Sequence, residues 1–131
     1  MPPPDITGLY AVPLALMMTV LAVRVIMLRA KTGISSLDGG NPALALRMRR
    51  HGNFVENVPM VLLLMTIAEL LGAAALWLHL AGGLLVCGRI LHAFGLSIEK
   101  PAALARIAGV VGTIIAMLVL ACNIVAIAFA G

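Results

Sequence analysis

The sequence of 131 residues contains little charge and few aromatic side chains. Charged residues make up 11% of it, aromatic residues make up 4%, and only five side chains are acidic. A chain with so few charges is outside the range of ordinary soluble domains. Hydrophobic residues instead account for 63% of the sequence, and the mean hydropathy is +1.14. This composition indicates an integral membrane protein.

The sequence also lacks the short motifs that would indicate metal, redox or nucleotide chemistry. It has no CxxC, no HExxH and no glycine-rich phosphate loop, so no metal site is predicted. Cys87 and Cys122 are expected at membrane depths about 9 Å apart, too far for a disulfide, and we interpret them as packing thiols. The net charge of +4 does not predict nucleic-acid binding here, because basic residues set topology in so hydrophobic a chain. Anionic lipid headgroups or a small anionic ligand fit better.

Four apolar stretches approach the length of about 20 residues that a transmembrane helix needs. They cover residues 6–23, 53–68, 70–88 and 107–131. We therefore predict an all-α integral membrane protein, an up-down bundle of four transmembrane helices that forms a single domain over residues 1–131. The predicted helices cover about 6–29, 42–70, 74–97 and 103–130. The first is expected to be retained, because the residues before it lack the basic region of a signal peptide.

The basic residues predict how the bundle is oriented. With an up-down path, all nine lysines and arginines fall in the half that carries the first and third loops. By the positive-inside rule these two loops face the cytoplasm, and both termini lie on the outer side. Trp77 and His79 are interpreted as interfacial groups at the opposite boundary.

Polar side chains follow one face of the second helix at a depth that should be apolar. Arg49, Asn53 and Glu56 are spaced i, i+4 and i+7, which places them in one stripe. Charged groups at membrane depth cost a few kcal/mol each, so they normally point into the bundle. Pro59 follows three residues later and predicts a bend, since it cannot donate to the carbonyl of Val55.

The other helices add arginines at a similar depth. Arg89 and His92 form a second polar stripe on the third helix, Arg24 lies on the first helix, and Arg106 opens the fourth. Glu56 is the expected partner of Arg89, because an unpaired guanidinium in lipid is costlier than one paired with a carboxylate. Every helix thus contributes an arginine to one layer.

Two interpretations of this layer compete. In the first, the arginines reach anionic lipid headgroups and the polar residues of helix two only join helices. This interpretation suffices for four basic residues, Arg29, Lys31, Arg47 and Lys100. In the second, surplus positive charge in a polar pocket favours an anionic ligand that enters from the cytoplasm. Charge alone does not identify that ligand.

A family resemblance narrows the choice. The run Arg49, Asn53, Glu56 and Pro59 on a second helix, with "CGRILHAFG" on a third and an arginine opening a fourth, resembles the MAPEG family, the membrane-associated proteins in eicosanoid and glutathione metabolism. The resemblance covers nearly the whole chain and is greatest to the small bacterial branch. It implies a homotrimer in the bacterial inner membrane, with glutathione bound between neighbouring subunits near the cytoplasmic side.

The resemblance also implies roles for individual residues. Six positions are expected to contact glutathione: Arg49, Asn53, Glu56, Arg89, His92 and Arg24. Arg24 is included because of its depth alone. Among these, Glu56 suits the ammonium of the ligand and Arg49 suits a carboxylate. Arg106 matches the arginine that holds the thiol as thiolate in catalytic members. The sequence departs from several members at Leu96, where they have a tyrosine.

The implied activity is that of a transferase or peroxidase with glutathione as co-substrate, acting on lipophilic electrophiles or lipid hydroperoxides. Two alternatives stay open. One is a non-catalytic protein of the same fold that binds lipids or other ligands or scaffolds other proteins. The other is a small multidrug-type exporter with Glu56 as proton carrier, although such exporters usually place their acidic residue in helix one, and residues 6–29 contain none.

Overall fold

The computed structural model describes residues 3–95 and 104–130, which form four α-helices. These are α1 (Asp5–Thr32), α2 (Pro42–Leu70), α3 (Ala75–Gly95) and α4 (Leu104–Ala130). Each is long and apolar enough to cross a membrane. The predicted class, an all-α membrane bundle of four transmembrane helices, is therefore confirmed. The predicted end of helix three at 97, the start of helix four at 103, and the positions of Leu96 and Lys100 lie outside the described residues.

Local signals in the first loop end α1 and begin α2. Gly33 adopts a left-handed conformation with φ 71°, and its N–H donates to the carbonyl of Arg29 at 2.9 Å. Asn41 caps α2, because its Oδ1 accepts hydrogen bonds from the N–H groups of Ala43 and Leu44, each at 3.0 Å. Pro42 takes the first helical position, where no N–H is required.

A short glycine turn connects α2 to α3. The N–H of Gly72 donates to the carbonyl of Glu69, and that of Ala73 donates to the carbonyl of Ala68 at 2.9 Å. Gly72 has a φ of 84°. This is the Schellman arrangement, in which a left-handed glycine ends a helix and reverses the chain. The turn makes α2 and α3 antiparallel neighbours.

The closest helix contact joins α3 to α4 and depends on two glycines. A Cβ added at Gly109 would lie 2.4 Å from the carbonyl oxygen of Gly88 and 2.8 Å from the backbone nitrogen of His92. Only glycine permits such an approach of two backbones. α1 packs on α2 and α3, and within the described residues it does not contact α4. The core between the helices includes Leu14, Met65, Leu85 and Leu120.

A polar cluster joins α1 to α2 and α3 at the end of the bundle away from the arginines. The carboxylate of Glu69 accepts hydrogen bonds from the N–H groups of Ile6 and Thr7 at 2.7 and 2.8 Å, and from the Thr7 hydroxyl at 2.6 Å. A hydrogen bond of 3.0 Å joins the Tyr10 hydroxyl to Nδ1 of His79. Glu69 therefore caps α1 from a neighbouring helix, which the sequence did not predict.

Candidate functional site

Arg89 forms the centre of the polar layer and ties three helices together. Its side chain is buried, with 2% of its surface exposed. Its Nη1 donates to Oδ1 of Asn53 on α2 at 2.7 Å. Its Nη2 donates to the Thr113 hydroxyl at 2.7 Å and to the carbonyl of Gly109 at 3.1 Å, both on α4. The guanidinium of Arg89 is thus held by neutral oxygens from both sides.

The expectation that Glu56 pairs with Arg89 is wrong for the described residues, because Asn53 takes that place. Helical geometry explains the difference. Residues three apart on an α-helix point in directions about 60° apart, since each turn contains about 3.6 residues. Asn53 is half-buried and faces α3, whereas Glu56 is exposed. The stripe on α2 is therefore divided between an inward side and an outward side.

Arg49 and Glu56 share a polar hollow on the outward side of α2. Both side chains are exposed. The hollow has a volume of about 310 Å³ and is lined, among the described residues, by Asp38, Ala45, Met48, Arg49, Gly52 and Glu56. Glu56 can accept from an ammonium, and Arg49 can donate to a carboxylate or phosphate. Asp38 reaches this hollow from the first loop, a position that gave no signal in the sequence.

His92 and Arg106 belong to the same layer and are less exposed than Arg49 and Glu56. His92 is buried, with 6% of its surface exposed, and lies within electrostatic range of four arginines, Arg89, Arg106, Arg49 and Arg50. Arg106 is half-buried on the first turn of α4. Its Nε is buried and has no hydrogen-bond partner within residues 3–95 and 104–130. The structure thus places Arg106, the predicted catalytic residue, within electrostatic range of His92 but not in the described lining of the Arg49 hollow.

Arg24 lies on a different surface from Arg49 and Glu56. It is exposed and, together with Arg50, lines one end of a groove between α1 and α3. Its carbonyl accepts a hydrogen bond of 2.7 Å from Nη1 of Arg47. Among the described residues, Arg24 lines this groove and does not line the Arg49 hollow. Its role in glutathione binding therefore stays a prediction.

The side chain of Thr113 also contacts Arg89, and sequence analysis did not identify it. It is 1% exposed, and its hydroxyl donates to the carbonyl of Gly109 at 2.9 Å while it accepts from Arg89. Its only signal in the sequence is its position one helical turn after Gly109. A single threonine in an apolar helix does not indicate which neighbour it contacts.

Fold and site together define a class, a four-helix integral membrane protein whose helices all contribute an arginine to one layer. Comparison with known proteins names the family. The model of the MAPEG family matches residues 7–126, so the chain belongs to the MAPEG family.

Known relatives are similar to this chain over two thirds of their length. Inner membrane protein YecN of Escherichia coli strain K12 is 36% identical over 90 residues, which cover 69% of this chain and 69% of YecN. YecN of Escherichia coli O6:H1 matches to the same extent. No solved structure matches the chain at a significant level.

Proposed function

We propose that this protein is a glutathione-dependent transferase or peroxidase that acts on lipophilic electrophiles or lipid hydroperoxides. Membership of the MAPEG family supports this class of activity, and the similarity to YecN supports a location in the inner membrane. The observation that carries the proposal is the hollow in which Arg49 and Glu56 stand exposed two turns apart. The proposal includes a homotrimer, with the first and third loops in the cytoplasm and the termini outside.

The charges of the hollow complement those of glutathione. The ligand carries two carboxylates, one ammonium and a thiol. Glu56 accepts from the ammonium and Arg49 donates to a carboxylate, so each ion pair has the correct sign. Such exposed pairs contribute about 0 to 1 kcal/mol each. A neighbouring subunit that covers the hollow would exclude water and strengthen both pairs, which is why the proposal places the ligand between subunits.

Arg89 and Asn53 act in this proposal mainly by orienting α2. Their hydrogen bond of 2.7 Å fixes the rotation of α2 against α3. With Asn53 turned inward, Arg49 and Glu56 are held on the outward side. A further contact of Asn53, Arg89 or His92 with the ligand itself stays a prediction.

Arg106 is proposed to hold the thiol of glutathione as thiolate. A free thiol has a pKa near 8.5, and a neighbouring arginine lowers it by one unit or more. Each unit corresponds to about 1.4 kcal/mol of preference for the charged form. In the transferase reaction the thiolate attacks an electrophile that has dissolved in the bilayer and reaches the site from the side. A C–S bond forms and a leaving group such as halide departs. In the peroxidase reaction, two glutathione molecules are oxidised to one disulfide, while the lipid hydroperoxide is reduced to an alcohol and water.

Leu96 favours a second candidate function. At this position several members of the family have a tyrosine whose hydroxyl touches the ligand, and leucine offers no hydrogen bond. A chain with this substitution can bind a ligand without activating it. The second candidate is therefore a non-catalytic membrane protein of the same fold that binds lipids or other ligands or acts as a scaffold.

One set of measurements on the purified full chain in detergent separates the two candidates. Calorimetry gives glutathione affinity, ultraviolet absorbance reports thiolate formation, and conjugation of an aryl halide reports turnover. We expect Glu56→Gln to weaken glutathione binding. The control Asp5→Asn, at the start of α1 and at the other end of the bundle, should leave binding unchanged. Arg106→Gln should reduce thiolate formation and turnover. Binding without thiolate in the unmodified chain supports the second candidate. Absence of any glutathione binding contradicts the enzyme.

A further inference from the structure

A groove with one cationic end runs along the surface between α1 and α3. Its volume is about 310 Å³. Leu14 and Leu21, which are 1% and 6% exposed, form its floor, and the exposed side chains of Val20 and Ile90 form its walls. Apart from Arg24 and Arg50, the described lining residues are apolar. The groove is therefore amphipathic along its length.

The length of the groove matches one leaflet of a bilayer. On α1 it extends from Pro13 to Arg24, which is about 16 Å at a rise of 1.5 Å per residue. Half of a hydrocarbon core of about 30 Å is about 15 Å. Because α1 is long and apolar enough to cross a membrane, the arginine end lies near the headgroups of the leaflet next to the first loop. The apolar end lies near the midplane.

Three guanidinium groups converge at the headgroup end. Arg24, Arg47 and Arg50 line a recess that adjoins the groove and shares Leu21 with it. Nη1 of Arg47 lies 2.7 Å from the carbonyl of Arg24, and Arg50 is close enough to repel both of the other arginines. Of the described residues, none that lines the recess is acidic. An anion with several oxygens can accept from more than one of these guanidiniums.

We propose that this groove binds one acyl chain of an anionic phospholipid, whose phosphate lies against Arg24, Arg47 and Arg50. The site lies on a different surface of the chain from the Arg49 hollow, and it assigns Arg24 to a lipid instead of glutathione. A phosphate offers oxygens in several directions, which suits a cluster of three arginines better than the single carboxylate of a fatty acid. The occupant is thus a lipid of the leaflet next to the first loop.

Native mass spectrometry of the full chain in mild detergent tests this site. The probes are phosphatidylglycerol and phosphatidylcholine with identical acyl chains, and the corresponding free fatty acid. We expect the protein to retain phosphatidylglycerol about tenfold better than phosphatidylcholine, and better than the fatty acid. Equal retention of the two phospholipids would overturn the proposal, and so would a preference for the fatty acid.

Two charge variants distinguish the site from general attraction to anionic lipid. Arg24→Gln removes a cation at the groove, and Lys31→Gln removes one two turns further along the same face of α1. A direct hydrogen bond from an arginine to a phosphate oxygen changes binding about fivefold or more, whereas a lysine outside the groove contributes only attraction that solvent and salt screen. We expect Arg24→Gln to lower the preference for phosphatidylglycerol about fivefold and Lys31→Gln to change it less than twofold. An equal change in both variants would contradict the proposal.

Filling the groove tests the position of the acyl chain. Ile90→Trp, from the α3 wall, is expected to lower the retention of phosphatidylglycerol at least fivefold without changing the oligomeric state. Val20→Trp fills the groove from the α1 wall and replaces Ile90→Trp if that variant does not fold. If the filled variants retain lipid normally, the groove is not a lipid site. If they lose oligomers instead of lipid, another copy of the chain covers the groove, and this also contradicts the proposal.

Discussion

The hydrogen bonds of Arg89 predict that replacing Asn53 destabilises the fold more than the replacement of an ordinary half-buried residue would. Nη1 of the buried guanidinium donates to Asn53 at 2.7 Å, and Asn53→Leu removes that acceptor. A hydrogen bond to a charged group contributes about 1.5 to 3 kcal/mol, and interhelical bonds in membrane proteins contribute up to about 1.7. We therefore expect Asn53→Leu to lower the free energy of unfolding by about 1.5 to 2 kcal/mol.

Replacing Arg89 and Asn53 together is expected to lower the free energy of unfolding by less than the sum of the two single replacements. Arg89→Met leaves only neutral groups, and the Thr113 hydroxyl keeps its hydrogen bond of 2.9 Å to the carbonyl of Gly109. In the double variant Asn53→Leu/Arg89→Met no buried cation is left without an acceptor. We expect a coupling energy of about 1 kcal/mol, since the two side chains are in direct contact.

Unfolding in mixed micelles of increasing sodium dodecyl sulfate content, followed by far-ultraviolet circular dichroism, measures these energies. The matched control is Asn57→Leu, one turn further along α2. The Asn57 side chain donates to the carbonyl of Asn53 within the same helix at 2.8 Å, so among the described residues its loss breaks no hydrogen bond between helices. The reasoning is refuted if Asn53→Leu is no more destabilising than Asn57→Leu, or if the two changes in the double variant are additive.

Three further changes test other contacts by the same unfolding measurement. Gly109→Ala is expected to lower the free energy of unfolding by roughly 2 kcal/mol or more, because its Cβ would lie 2.4 Å from the carbonyl oxygen of Gly88. The control Gly112→Ala should cost little, because its Cβ would meet its nearest atom at 3.6 Å. Glu69→Gln should cost about 1 to 2 kcal/mol and speed amide exchange at Thr7; unchanged exchange would contradict the cap. Asn41→Ala should cost about 1 kcal/mol, and no loss would show that its cap is dispensable.

The helices of this fold could be predicted because each depends on signals within a short segment. Runs of apolar residues identify the four spans, and Pro42, which suits the first turn of a helix, identifies the start of α2. The polar layer could also be predicted, because arginines in apolar helices are costly and must find polar surroundings. These inferences use one helix at a time.

Partners across helices could not be predicted in the same way. Spacing placed Asn53 and Glu56 on one stripe, but the stripe is about 60° wide, and only the packed position of α3 decides which residue meets Arg89. Thr113 and Glu69 are similar cases. Glu69 resembles an ordinary interfacial acid in the sequence, and its role requires the start of α1 beside the end of α2.

Burial distinguishes Arg89 from the exposed arginines Arg24 and Arg49, and this decides where ligands should be sought. Arg89 is 2% exposed, and both of its terminal nitrogens already donate to oxygens of α2 and α4. A ligand that displaced these bonds would have to replace them. Arg49 and Arg24 are exposed and each opens onto a separate hollow, one with Glu56 and one with an apolar floor. Our two proposals follow from this difference: the acid beside Arg49 suits a ligand that carries both charges, whereas the groove beside Arg24 suits an anion with an apolar tail.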